Sequence, residues 1–153
     1  MILMTGATGF VGRAMLRRLL DRNETVRCVA RNAGGRSLLK HQNLTWVKGD
    51  LLAPDMFRPA FDGADTVIHL VGILVEVGEQ TYDRVHRQGT EAMVRMARAS
   101  GVRRYLQMSA LGTRPDARSR YHQTKWAAEE AVRGSGLAYT LFRPSVIFGA
   151  EDR

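Results

Sequence analysis

A single cysteine, Cys28, stands in 153 residues. That excludes an internal disulfide and fits a reducing compartment. Its place inside an apolar strand pattern makes it a small core residue. Long apolar runs are also missing. The longest, 66–75, contains His69 and is too short to cross a bilayer. No second His, Cys or carboxylate stands at ligand spacing from His69, so no metal is expected, and His69 reads as a neutral core or cofactor-adjacent residue. The N-terminus enters a strand at once and leaves no room for a signal peptide, so a soluble, cytoplasmic protein is expected. Nor is there a dense basic run. The net charge is +8, supplied mostly by arginine, but the cations are scattered through every helical segment and are not interleaved with aromatics. Solvated helix faces, with a few arginines recruited to phosphates, explain them better than nucleic acid does. The remaining composition, 44% hydrophobic and 25% charged, is that of one globular domain with a real core.

What is present begins with Met4-Thr5-Gly6-Ala7-Thr8-Gly9-Phe10-Val11-Gly12. An apolar run over 2–4 leads in, and an amphipathic run over 11–20 leads out. Strand, glycine turn and helix together hold an anion, because the first helical N–H groups and the helix dipole point out of the turn. Gly6 permits the sharp turn, Gly9 lets a pyrophosphate approach the backbone, and Gly12 lets the helix pack on the strand. The spacing is G-x-x-G-x-x-G rather than the commoner G-x-G-x-x-G, so the flanking strand and helix carry the argument.

Val11, Ala14, Met15, Leu16, Leu19 and Leu20 recur at helical spacing, with Arg13, Arg17, Arg18 and Arg22 on the outer face. A second strand is predicted over 25–30. Its end carries Arg31, Asn32, two glycines and Arg36, with no acidic residue before Asp50. An NAD-specific protein places a carboxylate there for the ribose, whereas a guanidinium pairs with a 2′-phosphate. NADP(H) is therefore preferred over NAD(H), which stays possible; stacking of Arg31 on the adenine is the alternative.

Strand three is predicted over 44–47, followed by Gly49-Asp50-Leu51 and a short helix near 55–61 that Asp50 could cap. Strand four, 66–70, is almost wholly apolar, as for a central parallel strand, and ends in Val71-Gly72, where a cofactor can approach. A long helix follows over 81–100, with Val85, Ala92, Met93, Met96 and Ala97 on one face and Gly101 closing it. Strand five covers 102–108 and ends at Ser109. A helix over 119–133 and a sixth strand over 137–142 complete the pattern. This alternation predicts an α/β fold: a doubly wound parallel sheet, order 3-2-1-4-5-6, in three α/β/α layers, with the cofactor across the switch between strands one and four.

Tyr121-His122-Gln123-Thr124-Lys125 places Tyr and Lys on one helix face. The lysine charge is expected to lower the phenol pKa and make Tyr121 a usable acid or base, with Ser109 available to hydrogen-bond a substrate oxygen. That apparatus suits hydride transfer at a carbonyl or hydroxyl.

The glycine stretch, Asp50, Ser109, Tyr121, Lys125 and the Arg143-Pro144…Phe148-Gly149 ending together resemble the extended and atypical short-chain dehydrogenase/reductases. Ser-Arg-Tyr-x-x-x-Lys and Ile-Phe-Gly-x-Glu-Asp-Arg are most similar to the branch holding the NADPH-binding accessory subunit of mitochondrial complex I and its bacterial relatives. The resemblance implies that the backbone of Thr8, Gly9, Phe10 and Val11 holds the pyrophosphate. It implies that Asp50 and Leu51 meet the adenine, that Lys125 also binds the nicotinamide ribose, and that the backbone of Pro144 to Val146 meets the nicotinamide. It implies a homodimer contact through helices 81–100 and 119–133, and an oxidoreductase or epimerase-like activity on a small molecule. The alternative is a non-catalytic, NADPH-binding structural or redox-sensing protein. Two departures stand out. His86 occupies a position where many extended members carry Asn, and the chain ends at Arg153, where the family continues into a C-terminal substrate domain; a Rossmann domain over 1–153, truncated before that domain, is expected.

Overall fold

The computed structural model describes residues 1–33 and 39–149. Arg36, the glycines beside it and Glu151-Asp152-Arg153 lie outside the described residues. Six strands, β1 (Ile2–Thr5), β2 (Val26–Ala30), β3 (Leu44–Lys48), β4 (Thr66–His69), β5 (Arg104–Met108) and β6 (Ala138–Phe142), form one sheet in the order β3-β2-β1-β4-β5-β6. Every neighbouring pair is parallel. The fold expected from the alternation is therefore the fold observed.

The layers follow from the strand faces. Leu3, Val67 and Tyr105 point to one side, where Phe57 and Phe61 of the 3-10 segment Pro54–Phe61, Met93 of α2 (Gly89–Ala99) and Val132 of α3 (Arg120–Arg133) bury them. Met4, Cys28 and Ile68 point to the other, under Leu16 and Leu20 of α1 (Phe10–Asp21). Cys28 is fully buried, and burial pushes its thiol up to about 12. The expected apolar stripe of α1 holds except at Ala14, which is exposed.

Two helices differ from the periodicity reading. The segment after Asp50 is a 3-10 helix, with Pro54 at its start and Pro59 inside, and proline nitrogens donate no hydrogen bond to an α-turn. The long helix is not uniform. Its first part, Asp83–Gln88, is π-helical, and α-geometry begins at Gly89. Arg87 braces the widened turn by bonding the Asp83 carboxylate (2.6 Å) on one side and Glu91 (3.1 Å) on the other. His86, within this turn, is buried. At the far end, Gly101 and Val102 return their N–H groups to the Arg98 and Ala97 carbonyls, as the closing glycine predicts.

Candidate functional site at the carboxyl edge of the sheet

The glycine turn is built for close approach. Gly6 has φ +79°, which L side chains rarely adopt, and a Cβ there would also lie 3.0 Å from the Leu70 carbonyl carbon. A Cβ on Gly12 would lie 2.0 Å from the Gly6 carbonyl oxygen, so α1 reaches the turn only because that atom is missing. Gly9 caps α1 with no side-chain hydrogen bond, and no acidic side chain occupies the first turn. A dinucleotide pyrophosphate fits this cradle: the helix N-terminus faces outward uncapped and the walls are backbone.

Around it lies a cavity of about 310 Å³, lined by Gly6, Thr8, Gly9, Arg31, Asp50, Leu51, Val71 and Gly72 among others. Eight predicted cofactor residues thus meet in one place, from four different strand ends. Phe10, Val11 and Gly12 form the first turn of α1 behind them. Gln80, not singled out in the sequence, and Val85, read there only as part of a helix face, also line the cavity. Asp50 does not cap a helix as one reading had it. Its carboxylate accepts the Leu52 N–H (3.0 Å), and Ala53 precedes the 3-10 segment without a side-chain cap.

A second cavity of about 480 Å³ opens beside Arg31, lined also by Arg13, Arg17 and Trp46. Helical periodicity put Arg13 and Arg17 on a solvated face. Arg17 is exposed as expected, Arg13 is half-buried and donates to the Thr8 carbonyl (2.9 Å), and both line this cavity with Arg31, a placement visible only once β2 lies beside α1.

At the opposite end, α3 presents Tyr121 and Lys125. Ser119 caps the helix, accepting the His122 N–H. Lys125 is buried at 3% exposure and reaches across to donate to the Met108 carbonyl (3.2 Å). Its Nζ would lie 2.9 Å from a Cβ on Gly72, so Gly72 is the gap through which the ammonium meets the cleft. Burial pulls the Lys125 pKa down to about 8, against the opposing pull of Glu129. Tyr121 differs from the expectation. Its pKa is raised rather than lowered, first by burial and then by Tyr82. The reason is packing: the rings of Tyr82, His86 and His122 stand edge-on to it at 5.7, 5.2 and 5.1 Å, and the Lys125 ammonium is 5.9 Å from its ring centre.

Ser109 sits at the end of β5 as predicted, but 4% exposed. Its hydroxyl lies 3.3 Å from that of Thr113 and also bonds Glu129. Burial pushes the Glu129 carboxyl up, and hydrogen bonds from Arg143, Ser109 and Arg133 outweigh it, leaving the group below its ordinary value. Arg143 reaches Glu129 through Nε (2.8 Å) and thereby pins the segment that carries Pro144 and Val146 to α3. Neither of those two residues lines the 310 Å³ cavity.

His86 completes this end. Its Nε2 accepts the Ile73 N–H (3.1 Å), which leaves the proton on Nδ1, 3.0 Å from Thr124 Oγ1. Thr124 in turn donates to the Tyr121 carbonyl (2.9 Å). The ring stacks on Tyr82 at 5.5 Å. Burial first, then the Lys125 charge, pull its pKa down to about 3, so it is neutral. His69 is neutral for the same two causes, with an added push from His86; it also falls to about 3, and its Nδ1 is 2.6 Å from Thr5 Oγ1.

Among the described residues no helix is long and apolar enough to cross a membrane. A family model described as NAD(P)H-binding matches residues 6–152. A ceramide reductase from Caulobacter vibrioides is 31% identical over 99% of this chain and 47% of its own length. The mitochondrial NADH dehydrogenase [ubiquinone] 1 alpha subcomplex subunit 9 of Arabidopsis thaliana is 30% identical over 97% of this chain and 38% of its own. A short-chain dehydrogenase/reductase superfamily protein from Agrobacterium tumefaciens, solved with bound NAD, superimposes with a TM-score of 0.73 at 27% identity, over 93% of this chain and 48% of that one. This chain thus spans about half the length of the relatives it matches. Glycine cradle, strand order and family match agree: the chain belongs to the NAD(P)H-binding family, as a Rossmann domain of the extended short-chain dehydrogenase/reductase type.

Proposed function

We propose that the protein is an NADP(H)-linked oxidoreductase acting at a carbonyl or hydroxyl of a small molecule. The observation that carries the reading is Lys125 Nζ at the gap left by Gly72, with Tyr121 one helical turn before it, at the end of β4 where the glycine-lined cavity also ends. The nicotinamide, when bound, supplies or accepts the hydride. Tyr121 exchanges the proton at the substrate oxygen, Lys125 holds the ribose and Tyr121 in electrostatic register, and Ser109, by turning its single hydroxyl proton away from Thr113 and Glu129, hydrogen-bonds the same oxygen. The similarity to a reductase supports this reading.

The preference for the phosphorylated cofactor rests on Arg31 with Arg13 and Arg17 about one cavity. A charge-assisted bond to a 2′-phosphate is worth roughly 1.5–3 kcal/mol. Titration with NADPH and NADH separately tests it. Tighter NADPH binding, reduced about ten- to hundred-fold in Arg31→Ala with NADH unchanged, is the expected result; equal affinities overturn the preference.

A second reading, a non-catalytic NADPH-binding protein, is favoured by the raised Tyr121 pKa and by the similarity to a complex I subunit. Tyr121→Phe separates the two: an enzyme loses turnover and keeps cofactor affinity. The same proposal takes the outward faces of α2 and α3, neighbours in one layer, as a homodimer contact, which sedimentation of the purified chain checks.

A further inference from the structure

We propose that Gln80 is a cofactor-binding residue whose carboxamide N–H group donates to the dinucleotide pyrophosphate from the wall of the cleft opposite the glycine turn. The inference rests on the NADP(H) reading for the ligand. It is independent of any reaction at Tyr121.

The cavity of about 310 Å³ lies between two walls that come from opposite faces of the sheet. Gly6, Thr8 and Gly9 form one wall, and α1 runs from them onto the face of Met4, Cys28 and Ile68. Gln80 and Val85 form the other, where Asp83–Gln88 packs with α2 and α3. A pyrophosphate seated on the N–H groups of the glycine turn keeps oxygens that those groups do not reach. On the second wall, Gln80 is the polar side chain among the described residues.

A small hairpin fixes where Gln80 stands. Val77 and Gln80 exchange both backbone hydrogen bonds, at 3.2 and 3.0 Å, across a two-residue turn. Gly78 opens that turn at φ +55°, in the left-handed region. Glu76 accepts the Tyr82 N–H (2.8 Å) and pairs with Arg120 of α3 (3.4 Å). Tyr82 Oη donates to the Leu74 carbonyl (2.7 Å), and Arg84 pairs with Glu79 (3.3 Å). The hairpin is thus tied to the π-helical segment and to α3. The Gln80 backbone uses both its polar groups in the turn, while its half-buried carboxamide bonds no protein group among the described residues.

Charge explains why a donor is wanted on that wall. Arg31 and Asp50 are the ionisable side chains that line this cavity among the described residues, and Lys125 stays behind Gly72. Arg31 also borders the neighbouring cavity with Arg13 and Arg17, the place of a 2′-phosphate in the NADP(H) reading. Asp50 is an acceptor and repels an anion; its carboxylate already takes the Leu52 N–H. Thr5 is bonded to His69 (2.6 Å), and Thr8 belongs to the glycine turn itself. The pyrophosphate therefore has backbone N–H groups on one side and the Gln80 Nε2–H on the other. A carboxamide donates to an anion without adding a fixed charge to the cleft.

The test measures binding without turnover. The parent, Gln80→Lys, Gln80→Met and Gln80→Glu are each titrated calorimetrically with NADP⁺ and with adenosine 2′-monophosphate, which has the base, the ribose and the 2′-phosphate but no pyrophosphate. NADP⁺ affinity should fall about ten-fold in Gln80→Met, the worth of a hydrogen bond to a charged group. It should fall at least about a hundred-fold in Gln80→Glu, where like charges meet. Gln80→Lys should bind NADP⁺ at least as tightly as the parent. Adenosine 2′-monophosphate should bind all of them equally. Parent-like NADP⁺ affinity in Gln80→Glu overturns the proposal, because the carboxamide then accepts from a ribose hydroxyl or from the adenine amino group. Equal NADP⁺ affinities throughout the series also overturn it and spare the cofactor reading. Equal losses for both ligands overturn it too, and move Gln80 to the adenosine half. A parent chain that binds neither ligand overturns the NADP(H) reading itself, and this proposal with it.

Discussion

The two ends of the cleft are made of different material. At the glycine end the working parts are backbone: a left-handed Gly6, a Gly12 pressed on a carbonyl, and a helix start with no side chain over it. At the Tyr121 end they are side chains, and each is held by another from a distant segment. Lys125 bonds Met108, His86 joins Ile73 to Thr124, and Glu129 pins Arg143. A backbone site tolerates no added atom and asks for no particular side chain. A side-chain site tolerates small changes in shape, and fails in graded steps as partners are removed.

The sharpest way to break that contrast is Gly12→Val. The first added carbon already stands 2.0 Å from the Gly6 oxygen, and the obstacle is backbone, which cannot swing aside. Helix α1 must move off the sheet, at a cost of at least the 1–3 kcal/mol of an overpacked core. Loss of NADPH binding together with a lowered unfolding midpoint is expected. Retained affinity in a stable variant would mean that the glycine turn is not what holds the cofactor.

At the other end, Lys125→Met should keep the fold and lower turnover about 10²- to 10⁴-fold, the usual worth of a positioned proton-transfer apparatus. The apolar replacement fills the buried space, and burial already depresses the ammonium it replaces. A single-turnover assay checks it. Turnover within two-fold of the parent would favour the non-catalytic reading.

How much of this was legible in the sequence follows the same division. The glycine turn could be read because it is local, a strand, a turn and a helix start within a dozen residues, and the strand order because strands and helices alternate regularly along the whole chain. The Tyr121–Lys125 pair was legible as a helical spacing, but not its environment. Tyr121 is hemmed by Tyr82 and His86, some forty positions earlier, and no local pattern announces a desolvated phenol. Nor does periodicity reveal a π-helical turn, because Asp83–Gln88 reads as part of one uninterrupted amphipathic helix. That Arg13 and Arg17 share a cavity with Arg31 was hidden for a related reason: a helical wheel shows the outer face of α1 and not the edge of β2 beside it.

His86 sharpens the comparison at a smaller scale. Its two ring nitrogens link the loop after β4 to the helix of Tyr121. His86→Ala leaves the Ile73 N–H without its acceptor and frees Thr124. Turnover should fall about ten-fold with NADPH affinity within two-fold, and the stability cost should be about 1–3 kcal/mol for the orphaned amide. His86→Asn, which restores one arm, should recover part of the turnover. Equal losses in both variants would mean that the ring packs against Tyr82 and does nothing further.

The smallest effect is invisible at neutral pH and joins the two ends. His69 lies on β4 in register with Thr5 of the glycine strand on one side and Gln107 of β5 on the other. Its folded pKa is about 3 against 6.5 for an exposed imidazole. Above pH 6.5 the group is neutral in both states and contributes nothing to the pH dependence. Between 6.5 and 3 the unfolded chain binds a proton that the folded chain refuses, so stability falls on acidification by at most about 1.4 kcal/mol per pH unit from this residue. His86, depressed in the same direction, adds its own slope. In His69→Asn, which can still meet Thr5, the slope of unfolding free energy between pH 6 and 4 should therefore drop by about one proton's worth, with stability at pH 7.5 changed much less. Chemical denaturation at a series of pH values measures it. An unchanged slope would mean that His69 takes up its proton while folded, and that the core between the two ends admits charge.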